Sequence, residues 1–94
     1  MAAIPDRTRS INALRFRALG DETRLWLLEL LAPGEQSVHA LMDATGLGQS
    51  LVSHHLRTLR QAGLVGTRRD GRWVHYTINP AAVAAAKLAL YELA

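Results

Sequence analysis

Between residues 49 and 78 the spacing of apolar side chains changes once, and that change constrains the fold more than any other feature of the chain. At ~100° per residue, with Gln49 at zero, Leu51, Ala62, His55, Leu59, Val52 and Leu56 share one arc of about 140°. Gln49, Arg60, Ser53, Arg57, Ser50, Gln61, His54 and Thr58 take the rest of the circle. That split is an amphipathic helix with one face for a core and one for something else. Past Gly63 the period drops to two. "LVGTRRDGRWVHYTI" carries β-branched and aromatic residues around Asp70-Gly71, with Trp73, His75 and Thr77 alternating with Val74, Tyr76 and Ile78. This predicts a hairpin with a type I′ turn at Asp70-Gly71.

The flanking segments read as helices. Ile11, Leu14 and Ala18 mark a first helix near 8–18, broken by Gly20. Asp21 can cap a second near 21–32, where Leu25, Leu28 and Leu31 supply the core stripe before Pro33-Gly34. Ser37 can cap a third near 37–45, with Val38, Leu41, Met42 and Thr45 on one side and Gly46 as its stop. The fourth spans 49–62, the strands lie near 64–69 and 72–78, and Asn79-Pro80 opens a last helix over 80–93. The expected fold is mostly α with a β-hairpin wing, in the order α-α-α-α-β-β-α: one winged helix-turn-helix domain over residues 1–94.

Composition narrows the function. The chain has 94 residues, a net charge of +3 and no cysteine, so disulfides and thiolate metal sites are excluded. The opening stretch "MAAIPDRTRS" is polar and no apolar run is long enough to cross a membrane, which fits a cytoplasmic protein. Ten of the eleven basic residues are arginine, and Arg57, Arg60, Arg68, Arg69 and Arg72 fall within sixteen residues. Arginine suits phosphates and guanine edges, which points to a polyanion partner.

The helix phase separates the two adjacent histidines. His55 falls in the apolar arc and is expected to be a packed, hydrogen-bonded core side chain. His54 falls on the polar face beside Ser50, Ser53 and Arg57. Gln reads adenine, Arg reads guanine and Ser takes a base or a phosphate, and a recognition helix makes its base contacts from its N-terminal half.

With these elements in order, the chain resembles the ArsR-type (arsenic-repressor-like) winged helix-turn-helix repressors. "ALGDETRLWLLELL" resembles that family's second-helix signature, "LVSHHLRTLRQAGLV" its recognition helix with a Ser-x-His-Leu core, and "RRDGRWVHYTIN" its wing. The resemblance implies an autoregulating repressor that binds a near-palindromic operator on double-stranded DNA as a homodimer. It assigns base reading to Gln49, Ser50, Ser53 and His54, with Arg57 at the base or phosphate edge. Phosphate contacts go to Arg68, Arg69 and Arg72, and His55 takes the place of the family's core histidine. First and last helices form the dimer interface, which gives Ile11 and Leu14 on the first. On the last, nearly every position is apolar and one side needs a cover beyond its own subunit, so Val83, Leu90 and Leu93 are candidates.

The chain departs from the metal-sensing members. Where arsenic-type members have a Cys-x-Cys pair it has Ser37 and His39, and its last helix offers only Lys87, Tyr91 and Glu92 as ionisable groups. No metal or cofactor is therefore expected, and the inducer is left open. His39 and Asp43, four apart on the third helix, are the remaining weak metal pair, and His75 reads as a strand surface residue or a phosphate contact. Two other readings stay open: a ligand- or metal-responsive sensor using His39 and Asp43, and a winged-helix protein-interaction module. An enzyme is disfavoured, because no nucleophile–base–orienter set is evident.

Overall fold

The computed structural model describes residues 6–94; residues 1–5, part of the polar opening stretch, lie outside them. The order is α1 (Asp6–Leu19), α2 (Glu22–Leu31), β1 (Gln36–Ser37), α3 (Val38–Thr45), α4 (Gln49–Gln61), β2 (Val65–Asp70), β3 (Trp73–Ile78) and α5 (Pro80–Tyr91). β1 was not anticipated. It pairs antiparallel with β3 through Gln36 with Tyr76 and Ser37 with His75, giving a three-stranded sheet in the order β1-β3-β2. Two residues carry no readable period, so only the fold reveals this strand.

Local chemistry sets the helix ends. The Asp21 carboxylate accepts from the Arg24 backbone N–H at 3.0 Å, and the Ser37 hydroxyl accepts from that of Ala40 at 3.0 Å. Gly46 closes α3 at φ 74°, with its N–H donating to the Met42 carbonyl at 2.8 Å. A left-handed residue is needed at that point for the chain to reverse into α4. The Asn79 side chain caps α5 and also donates to the Gly63 carbonyl at 3.0 Å. The end of the hairpin is thereby fastened to the end of α4.

The core is aliphatic. Leu27, Leu31, Leu41, Val52, Leu56, Leu59 and Leu64 are essentially inaccessible. Helices α3 and α4 pack against α2 and the sheet, with Tyr76 and Ile78 of β3 closing one side. Two sequence expectations fail here. In α2 the buried pair is Leu27 and Leu31 with Leu28 half-buried, while Leu25 is 46% exposed. Nearly every position in "LWLLELL" is apolar, so hydropathy alone does not fix the phase. Leu51, at the edge of the α4 arc, is 44% exposed.

The hairpin turn also sits one residue later than expected. Asp70 pairs with Trp73, so Gly71-Arg72 is the loop, and Gly71 has φ 60° while no non-glycine residue described has positive φ. Glycine at the first loop position is the pattern of a type II′ turn, not type I′.

α5 packs chiefly on α1, with Ala82, Ala86 and Ala89 buried where small side chains let the helices approach. On one flank a groove of about 430 Å³ separates Val83, Ala86 and Leu90 from Leu28, Leu64 and Ile78. Leu88, Leu90, Tyr91 and Leu93 point out, and Ile11 and Leu14 on α1 are each 41% exposed.

Candidate nucleic-acid interface

Helix α4 divides along the line of its sequence. Val52, His55, Leu56 and Leu59 face the core, Gln49, Ser50, His54 and Arg57 are exposed, and Ser53 is half-buried. Gly48, the residue before the helix, makes no side-chain cap. The first turn therefore begins with open amides and short polar side chains, an arrangement suited to close approach of a base edge or a phosphate.

His55 is 9% exposed and belongs to a clamp. Its Nδ1 lies 3.2 Å from Nη1 of Arg24 and 3.8 Å from the Asp21 carboxylate. A guanidinium only donates, so Nδ1 accepts and the imidazole is neutral with its proton on Nε2. Burial pushes the His55 pKa below its ordinary value; the Asp21 carboxylate opposes this, and the Arg24 and His54 charges add to it. The same Arg24 donates from Nε to the Ala18 carbonyl at 2.5 Å and from Nη2 to the Arg17 carbonyl at 3.2 Å. One side chain on α2 thus holds the end of α1 and the middle of α4. Sequence periodicity marked His55 but not Arg24.

The wing is braced in a similar way. Arg68 on β2 grips Glu35, just before β1, with Nε–Oε2 at 3.0 Å and Nη2–Oε1 at 2.6 Å. That bidentate bond holds the Glu35 carboxyl below the ordinary carboxylate range and raises the guanidinium. His75, the cross-strand neighbour of Arg68, has Nδ1 3.9 Å from Glu35 and is only half-buried, which places it in this cluster rather than on an open strand face. The resemblance assigns Arg68 to phosphate; in the fold Arg68, Arg69 and Arg72 are all exposed, but the Arg68 charge is engaged by Glu35. Glu35 gives no sequence signal, because its partner lies 33 residues away.

His39 and Asp43 are exposed on α3. Among the described residues no group of three or more His, Cys, Asp or Glu is placed to hold a metal ion. The His39 ring instead packs on Trp73, with centroids 5.7 Å apart.

Helix-turn-helix followed at once by a braced basic hairpin defines a winged helix-turn-helix protein. The chain belongs to the bacterial regulatory protein, arsR family, whose pattern matches residues 21–67; this is a family of regulators and not of enzymes. It is 44% identical over 66 residues to the arsenical resistance operon repressor of Escherichia coli (strain K12), covering 69% of this chain and 56% of that repressor. It is also 44% identical over 64 residues to an HTH-type transcriptional regulator of Methanocaldococcus jannaschii, covering 67% and 72%. The chain thus spans little more than half the length of the E. coli relative. Among solved structures, an ArsR-like transcriptional regulator from Rhodococcus sp. RHA1 superposes with a TM-score of 0.84 at 29% identity, over 92% of this chain and 81% of that one.

Proposed function

We propose that the protein is a sequence-specific transcriptional regulator: an autoregulating repressor that acts in the cytoplasm and binds a near-palindromic operator as a homodimer. The observation that carries this is the polar face of α4, exposed next to a basic wing while its opposite face is the core. In this reading Gln49, Ser50, Ser53 and His54 reach base edges, Arg57 takes a base or phosphate edge, and Arg69 and Arg72 hold phosphates from the wing. Arg68, held by Glu35, sets the wing's angle and is not counted among the phosphate ligands. No helix among the described residues is long and apolar enough to span a membrane.

Selection of bound duplexes from random sequence, followed by anisotropy titrations, tests this. Gln49→Ala and Arg57→Ala are expected to relax preference at one operator position each, by ~1–3 kcal/mol per bidentate contact. Arg69→Ala and Arg72→Ala are expected to weaken operator and random duplex by similar factors, because phosphate contacts carry no sequence information. Equal losses on both duplexes for all four variants would remove the direct-readout assignment.

The dimer rests on the exposed apolar residues of α1 and α5. Ile11, Leu14, Leu90 and Leu93 are 41–73% exposed, and half-buried Val83 lines one groove with Leu90. A charge placed there costs little in a monomer and much in an interface. Leu14→Glu with Leu90→Glu is expected to give a folded monomer by sedimentation and to lose operator affinity. A double variant that still sediments as a dimer places the interface elsewhere.

A further inference from the structure

Trp73 belongs to no part of the assignment above, yet it is one of two tryptophans in the chain and its side chain is half exposed, at 50%. It opens β3 directly after the Gly71-Arg72 loop. With Arg72, Val74, Val38, His39, Met42 and Gln49 it lines a cleft of about 220 Å³ between the wing, α3 and the start of α4. That volume is below the range of ordinary small-ligand pockets. Gln49 and Arg72, both assigned to DNA, line the same cleft as Trp73, so a duplex engaging both meets the cleft that holds the indole.

We infer that Trp73 is a DNA contact, its indole packed against a deoxyribose with the Nε1–H donating to a phosphate oxygen, and that His39 is its positioning residue. This rests on the proposed DNA-binding function. The chemistry fits the place. Tryptophan combines a large apolar body with a single donor, and the cleft offers it apolar neighbours in Val38, Met42 and Val74 while half its surface stays exposed. The His39 ring, 5.7 Å away and tilted by 47°, fixes the orientation of the indole against α3. The contact also ties the DNA-facing end of the wing to the helix-turn-helix, as Arg68 with Glu35 ties β2 to the segment before β1.

The test uses Trp26→Phe protein, in which Trp73 is the sole tryptophan. Adding the selected duplex is expected to reduce acrylamide quenching of Trp73 at least twofold. Trp73→Ala in the full chain is expected to weaken operator and random duplex alike by about 5- to 150-fold, the range of two net hydrogen bonds, one per subunit, with an unchanged melting temperature. Trp73→Phe keeps the ring without the donor and falls between. His39→Ala weakens binding to a smaller extent and raises quenching of Trp73 in the free protein, which a merely exposed indole would not show. Unchanged quenching on DNA binding overturns the inference. So does a Trp73→Ala protein that binds like the parent while Arg72→Ala binds weakly; the DNA-binding function then stands. A parent that binds no duplex overturns both.

Discussion

Operator affinity is expected to fall about a thousandfold between ~50 and ~200 mM salt. Each neutralised phosphate contributes ~0.9 to the slope of log K on log salt. Arg57, Arg69 and Arg72 are exposed on α4 and the wing, and the proposed homodimer would present each twice. Six contacts give a slope near −5, and a fourfold rise in salt raised to the fifth power is about three decades. Arg68 is left out of that count because Glu35 holds it at 2.6 and 3.0 Å. Including both copies would bring the slope to about −7. Glu35→Ala therefore separates two effects: it frees Arg68 for phosphate, which steepens the slope, and it loosens the wing, which lowers affinity at all salt concentrations. Anisotropy titrations over this salt range, with wild type and Glu35→Ala in parallel, read both. A slope near −2.5 would indicate that one subunit binds, and a flat response would remove the electrostatic footing of the DNA-binding reading altogether.

What the sequence made legible follows from what each signal measures. Helix α4 was readable because its apolar and polar residues separate cleanly, and the split correctly sent His55 inward. The hairpin is readable because its period is two, but its loop is ambiguous by one residue: Gly71 can end one two-residue turn or begin the next, and strand register decides between them. In α2 the run of leucines erases the phase, so hydropathy alone favours Leu25 where the fold buries Leu27. The site residues the sequence did not mark are those defined by distant partners. Arg24 meets His55 across 31 residues and Glu35 meets Arg68 across 33. Trp73 read as one more alternating strand residue, and its place beside His39 and Gln49 depends on how the wing folds over α3. Period and residue type thus mark the exposed polar face of α4, while the braces that orient it need three dimensions.

The Arg24–His55 clamp is where a single substitution is expected to cost most. Arg24→Ala deletes three donor contacts at once and strips this donor from the Ala18 carbonyl and from Nδ1 of His55, while the Arg17 carbonyl keeps the Gly20 N–H at 3.2 Å. Loss of charged hydrogen bonds to part-buried acceptors is expected to destabilise the fold by ~2–4 kcal/mol in urea unfolding at fixed protein concentration. His55→Ala is expected to cost ~1–3 kcal/mol and His54→Ala almost nothing, since His54 is exposed. The double variant of Arg24 and His55 should cost less than the sum, because the shared contact is lost only once. Acid adds an independent reading. The folded His55 pKa lies below its unfolded value, so the unfolded chain takes up that proton first as pH falls. The stability it contributes is fully present above the ordinary histidine value near 6.5 and is lost as pH falls through the depressed folded value. The lowered carboxyls of Asp21 and Glu35 act in a separate window, below the ordinary carboxylate range. His55→Gln keeps an acceptor for Arg24 but cannot take the proton, so it should flatten the decline in stability between pH 7 and 5. Arg24→Lys should recover only a fraction of the loss, because one ammonium cannot span three acceptors that the guanidinium fork reaches together. An Arg24→Ala protein as stable as wild type would show that the three helices hold their positions without the clamp, and that packing of Val52, Leu56 and Leu59 alone fixes the recognition helix.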